Sequence, residues 1–250
     1  MKKITTFFLV AILSLTICSS AEAANLGSIN NWYADNSSTT WVYYIPYSKL
    51  TNGTTCNWTY TYYQGYADAH RQYCSTASYV AASVWGTGTL GFSLTKVSST
   101  QSCPIEVYCT NSAGFEYRFP EYADSYFEDS SHDDAIAHTM LEESDETSVH
   151  YVSYNGNGGY RVKALNKAII IPFTDFVNNP EKIANKTLTL QQYYNKVIAH
   201  EFGHALGWYG HSSDPTCLMY AYNSTPVTAP DSKSFTHLSQ IYDLTLELNE

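Results

Sequence analysis

Apolar and polar positions follow several rhythms along the chain, and each predicts an element. Thr39–Tyr47 (TTWVYYIPY) is dense in aromatic and β-branched residues and reads as a strand. Asn57–Trp85 reads as a helix through about Ser78. Leu90–Val97 alternates like a strand, Cys103–Cys109 is a short second one, and Tyr160–Phe173 gives one or two more. Thr189-Leu190-Gln191-Gln192 has the Thr-x-x-Gln spacing of a capping box, which starts a helix. That helix stops at Gly207, a residue suited to a left-handed cap. Asp231–Leu248 gives a C-terminal helix. Strands and helices mix without strict alternation, so the expected class is α+β.

Composition narrows this picture. The chain has 250 residues, and its start has a basic pair (Lys2, Lys3), an apolar run and a small-residue exit at Ala21-Glu22-Ala23. This is the layout of a secretory signal, expected to span residues 1–23; the apolar run is shorter than the ~20 residues of a membrane span. Residues 24–38 then form a lead-in or short prosegment, and 39–250 form one domain large enough for a real core. Tyr is abundant (23 residues), charged residues make up only 14%, and the net charge is −10. A secreted, extracellular protein is expected, without stable membrane association and monomeric. Nucleic acid is excluded as a partner, because phosphate binding needs clustered Lys and Arg. Glu121–Glu146 holds ten carboxylates and no Lys or Arg. That stretch is either a solvated acidic loop or a loop folded around Ca²⁺, which takes oxygen ligands.

The densest chemistry lies in Val197–Tyr220, VIAHEFGHALGWYGHSSDPTCLMY. His200 and His204 are four apart on the expected helix, so both imidazoles project from one face about a turn apart. Two nitrogens so placed can grip one Zn²⁺. Glu201 lies one step round the helix, poor as a ligand but able to reach a metal-bound water. Gly207 lets the chain turn sharply, so that His211 can return as a third ligand and leave a fourth position open.

With Met219 eight residues beyond His211, these residues resemble the metzincin peptidases, whose pattern is HExxHxxGxxH followed by a Met-turn. HEFGHALG and HSSDPTCLMY are similar to the matrixin branch in particular. The resemblance implies a metzincin-type catalytic domain: a twisted mixed sheet, a first helix covering it, an active-site helix, and a C-terminal helix across a cleft. It implies a secreted zinc endopeptidase acting on protein or peptide substrates through a zinc-bound water, with Glu201 as general base. By the same resemblance Met219 is an apolar floor under the histidines, Ala221-Tyr222-Asn223 lines the pocket beyond the scissile bond, and the edge strand within Tyr160–Phe173 takes substrate as an added strand. The chain departs from the pattern in one place. Three residues, Trp208, Tyr209 and Gly210, separate Gly207 from His211 where the family has two. Either His211 is the ligand and Gly210 lets the loop bulge, or the third ligand is lost, with Asp214 as a fallback. The second alternative is a catalytically impaired zinc-binding or protein-binding module on a peptidase scaffold.

Other residues join through the same resemblance. His138 and His150, with His132 and Asp134, have neighbourhoods like the family's structural zinc site, so a second Zn²⁺ or a Ca²⁺ is considered there. The spacings match poorly and the glycine-rich calcium signature is missing. His70 and His237 read as helix-surface residues. Asp35 stands where some metzincins use an aspartate to block zinc in the zymogen. Five N-x-S/T sequons begin at Asn36. Five cysteines follow the leader, and Cys217 is expected to be the one left free. Cys56–Cys74 would span about 27 Å of a helix, and Cys103–Cys109 about 20 Å of a strand. Both exceed the ~7 Å a disulfide allows. Of the two pairings left, the helix running antiparallel to the strands, as in the resembled fold, favours Cys56–Cys109 with Cys74–Cys103.

Overall fold

The computed structural model describes residues 13–14, 41–64, 68–86, 90–98, 101–128, 136–143, 150–153, 159–174, 188–208, 211–212, 214–220, 226–232, 234–235, 238 and 242. In chain order the elements are β1 (Leu13–Ser14), β2 (Trp41–Tyr44), β3 (Thr55–Tyr62), α1 (Asp68–Trp85), β4 (Ser93–Lys96), β5 (Ile105–Cys109), α2 (Ser112–Arg118), α3 (Pro120–Glu128), β6 (Ala137–Glu143), β7 (His150–Ser153), β8 (Gly159–Pro172) and α4 (Leu190–Ala205).

β8 is the spine of a mixed sheet ordered β1-β6-β8-β5-β3-β4. β5 pairs with it in parallel from Ile105↔Ala168, and β6 runs antiparallel along its other side from Ala137↔Pro172. Its first half is flanked by β2 in parallel and β7 antiparallel. The run KAIIIP explains this placement. A strand buried on both faces needs apolar residues on both, and Ala168, Ile169, Ile170 and Ile171 are all buried. The two sheet faces lead to two cores. Ile105, Val107, Cys109, Ala168 and Ile170 face α1 and α4, with Trp58, Trp85 and Phe202 between the layers. Tyr108, Ile169, Ile171 and Phe173 face α2 and α3, around Phe115 and Tyr126.

The α+β class and the sheet with its covering helices are as expected, but four details differ. Asn57–Tyr62 is strand, not the start of a helix: Cys56, Trp58 and Thr59 are buried in β3, parallel to β5, and the helix starts only at Asp68. Tyr and Thr dominate that stretch, and both suit a pleated surface better than a helix. The expected acidic loop carries regular structure in its described parts, α3 over its start and β6 over Ala137–Glu143. Tyr160–Phe173 is not an edge strand but lies inside the sheet; β6, which packs on the histidine helix, is the second strand from that side, with only the two-residue β1 (Leu13–Ser14) beyond it. The last difference concerns the cysteines. Because β3 and β5 are parallel, Cys56 comes beside Cys103 rather than Cys109, and Cys74 on α1 comes beside Cys109.

Of the expected C-terminal helix, Ser232, Ser234, Phe235, Leu238 and Tyr242 are described and helical. Tyr242 donates its hydroxyl to Leu206 O at 2.6 Å, which anchors this segment against the end of α4. Among the described residues no helix is long and apolar enough to cross a membrane.

Candidate functional site

α4 begins where its sequence asks. Gln192 N–H donates to Thr189 Oγ1, and Thr189 N–H donates to Gln192 Oε1 at 2.9 Å, a complete capping box. Such a cap stabilises a helix start by ~1 kcal/mol. From Val197 to Ala205 every residue is buried, so α4 passes through the interior between α1 and β6. Trp85, the last residue of α1, donates Nε1–H to Ala199 O at 2.7 Å. This fixes the helix one residue before His200. At Gly203 the turn meets Met219: a methyl built there would run into Met219 Sδ and the Trp85 ring. Glycine at this position is therefore a packing requirement.

Gly207 has φ 108°, a left-handed conformation open to glycine, and Trp208 N–H reaches back to Gly203 O at 2.9 Å. The chain returns along a turn that holds several partners at once. Ser212 N–H donates to Met219 O at 2.7 Å, so the residue after His211 is tied to the residue under the helix. Asp214 is engaged elsewhere: its Oδ1 accepts from Thr216 N–H at 2.8 Å and from the Thr216 hydroxyl at 2.6 Å.

The outcome is a cluster of His200, His204 and His211, with donor atoms all within 4.8 Å of one another. His200 Nδ1 lies 2.8 Å from Leu218 O, and His204 Nδ1 lies 2.8 Å from Trp208 O. A carbonyl only accepts, so each Nδ1 carries the proton and each Nε2 presents a lone pair. These two Nε2 atoms lie 3.1 Å apart. Lone pairs at that separation repel unless a cation lies between them. A proton is a poor candidate. Burial, then His204 and His211, hold His200 well below its ordinary value; burial takes His204 down to about 4; burial, then His204, takes His211 down to about 3. His211 Nε2 is buried and has no hydrogen-bond partner among the described residues. Zinc at 2.0–2.1 Å from each nitrogen in a tetrahedron places ligand nitrogens about 3.3–3.4 Å apart. The His200–His204 separation fits that ion, with the buried His211 donor within 4.8 Å of both.

Glu201 is only 1% exposed, and burial pushes its carboxyl up to about 8, opposed by Thr139. The Thr139 hydroxyl on β6 donates to Glu201 Oε2 at 2.6 Å. Nothing in the sequence pattern singles Thr139 out. The only hint is a hydroxyl in the middle of a strand that is apolar at Ala137, Met140 and Leu141. The carbonyls of Leu218 and Trp208 leave no sequence signal at all, because they are backbone atoms. Lys196, one turn before His200, is also buried, and burial brings its ammonium down to about 8.

Of the other candidates, His138 is buried in β6 with Nε2 2.8 Å from the Tyr122 hydroxyl, packed on Tyr122 and Tyr126. It does not join the histidine cluster, which is the one group of three or more metal donors among the described residues. His70 bonds the Tyr194 hydroxyl through Nδ1 at 3.0 Å. Asp35, His132, Asp134, Tyr209, Gly210 and Ala221–Asn223 lie outside the described residues.

A search of curated proteins returned no match. A protein-family model described as Matrixin matches residues 54–242, from the start of β3 to the C-terminal segment, and spans the histidine cluster.

Proposed function

Because the chain belongs to the matrixin family, whose members are zinc-dependent peptidases, we propose that it is a secreted zinc endopeptidase whose metal is held by His200, His204 and His211, with Glu201 as general base. The observation that carries this reading is the close approach of His200 and His204 through unprotonated Nε2 atoms, beside the buried Nε2 of His211. The retained Glu201 favours an enzyme over a binding module, since a purely structural metal site needs no buried carboxylate beside it.

When bound, zinc supplies a Lewis acid that lowers the pKa of water and polarises a carbonyl. The remaining work falls to the chain's own groups. β6 packs against α4, and an extended peptide can add to its outer side as another strand once Leu13–Ser14 no longer pairs there. Thr139 holds Oε2 of Glu201 and leaves Oε1 without a hydrogen bond among the described residues. That oxygen takes the proton of the attacking water and later delivers it to the leaving amine, so the same carboxylate serves both halves of the reaction. The Leu218 and Trp208 carbonyls keep His200 and His204 in the tautomer that offers Nε2.

Metal analysis of the purified protein, together with casein cleavage by wild type and Glu201→Gln, tests the proposal. One equivalent of zinc in both proteins, with cleavage lost only in the variant, is the expected result. A wild type that carries zinc, is freed of residues 1–38 and still cleaves neither casein nor a peptide library would overturn the enzyme in favour of the binding module.

A further inference from the structure

The five described cysteines are buried free thiols in this structure, and Cys56, Cys74 and Cys109 face the same core. Trp58 stands opposite Ile105 in the parallel pair β3–β5. Cys56 is two residues before Trp58, and Cys103 two before Ile105, so the register brings the two cysteines side by side. Cys56 faces the core that holds Trp58, Ile105 and Val107, and Cys103, just before β5, is buried as its neighbour. Adjacent strands are about 4.8 Å apart, inside the α-carbon separation a disulfide accepts. At the other end of β5, Cys109 faces the same core, and so does Cys74, which shares one face of α1 with Ala77 and Ala81. The helix and strand meet here because α1 starts beyond the end of β3. Tyr60 near that end donates its hydroxyl to Arg71 O at 2.8 Å and fixes the first turns of α1 over Cys109. The sulfurs respond to one another as neighbours do. Burial, then Cys103, pushes the Cys56 thiol up; burial, then the hydrogen bond its thiol donates to the Cys109 sulfur, pushes Cys74 well up.

We infer that the mature protein carries two disulfides, Cys56–Cys103 and Cys74–Cys109, with Cys217 as a free thiol. The pairs sit at opposite ends of β5, so the four sulfurs cannot form one metal site, and no group of three donors involving a cysteine occurs among the described residues. Cys217 is buried beside Ser234, with the sulfur and hydroxyl oxygen 3.5 Å apart, and among the described residues no cysteine interacts with its thiol. Each bridge forms by thiol–disulfide exchange. A disulfide such as oxidised glutathione is reduced to two thiols, while the two cysteines give up two protons and two electrons and join through one S–S bond. The inference rests on the secreted reading only for the source of that oxidant, and its test does not depend on peptidase activity.

The full chain without residues 1–23 is refolded in a glutathione redox buffer, alkylated under denaturing conditions without reductant, digested and mapped by mass spectrometry. The expected result is one peptide pair joined through Cys56 and Cys103, another through Cys74 and Cys109, and alkylation at Cys217 alone. Cys56 joined to Cys109, a bridge to Cys217, or five alkylated thiols in folded protein would overturn the inference. A second measurement covers variants that fold poorly. Reduction should lower the Tm of wild type by roughly 5–10 °C per bridge, and should leave unchanged the Tm of a variant with all four cysteines replaced by Ser. Equal response of both proteins to reductant would count against the bridges.

Discussion

Replacing Thr139 by Val removes one hydroxyl and keeps the branched shape of the side chain. The hydroxyl is fully buried and donates to Glu201 Oε2 at 2.6 Å. A hydrogen bond to a charged partner contributes about 1.5–3 kcal/mol. If that contribution orients the carboxylate during proton transfer, kcat falls by about 10- to 150-fold. KM should stay within about twofold, because an added peptide strand bonds the β6 backbone and not this side chain. The pH profile should move as well. Burial raises the Glu201 carboxyl and the hydroxyl opposes it, so removing the hydroxyl raises the pKa further. A base must be ionised to act, and the acid limb of kcat/KM therefore shifts to higher pH. Thr139→Ser keeps the donor and should recover most of kcat. The assay is hydrolysis of a quenched fluorescent peptide across pH, with zinc content and Tm measured on the same samples. Unchanged kcat in Thr139→Val at full zinc content would refute the role, as would a loss that merely follows lost zinc or that Ser does not recover.

Three further outcomes follow from contacts in the structure. His211→Ala should lose most bound zinc in equilibrium dialysis while Gly210→Ala keeps it; full zinc and activity in His211→Ala would mean that another residue completes the site. Gly203→Ala drives a methyl into Met219 Sδ and the Trp85 ring, so chemical denaturation should show a loss of about 1–3 kcal/mol and weaker zinc retention against a chelator. Glu106 bonds Arg118 twice and also Lys167 and Thr61. Burial alone would raise its carboxyl, but these partners together hold it down at about 2. The folded-state pKa is thus below the unfolded one, and the linked stability is present above about pH 4.5 and lost as pH falls toward 2. Glu106→Gln should flatten the acid unfolding curve in that window and cost about 2–3 kcal/mol at neutral pH, allowing for partly solvated cations; an unaltered acid transition would show that other carboxylates govern it.

What the sequence reveals about this molecule depends on how local the cause is. The helix carrying His200 and His204 is written in a few neighbouring residues, Thr189 to Gln192 at its start and Gly207 at its end, and the structure forms it accordingly. The meeting of His211 with them depends on the Ser212–Met219 bond, which links residues on either side of the turn and is hinted at only by the spacing. Thr139 cannot be found from spacing, because it comes from a different strand 62 positions away. The expected helix fails at its start, over Asn57–Tyr62, because that stretch is decided by pairing with β5, and a local reading has no access to that partner. The same misplaced boundary explains the cysteines. A helix antiparallel to its strands does put its first turns over the end of β5, but the cysteine in those turns is Cys74, not Cys56.

The length of β8 bears on the order in which the chain can fold. It receives β2 from far upstream, Trp41 opposite Arg161, and β5 and β6 from the middle of the sequence. Contacts so distant along the chain slow folding, because the loop must close before the pairing stabilises it. During synthesis or export, β3, α1, β4 and β5 emerge as a unit whose shared sheet edge waits for β8, and α4 follows only after that. Both proposed bridges fall inside this first unit, between residues 56 and 109. They would lock β3 and α1 to β5 while the histidine helix is still unmade, so that the late-arriving spine meets a preformed edge instead of an open chain. Pulse-labelled intermediates of this protein should therefore carry their disulfides before they can hold metal.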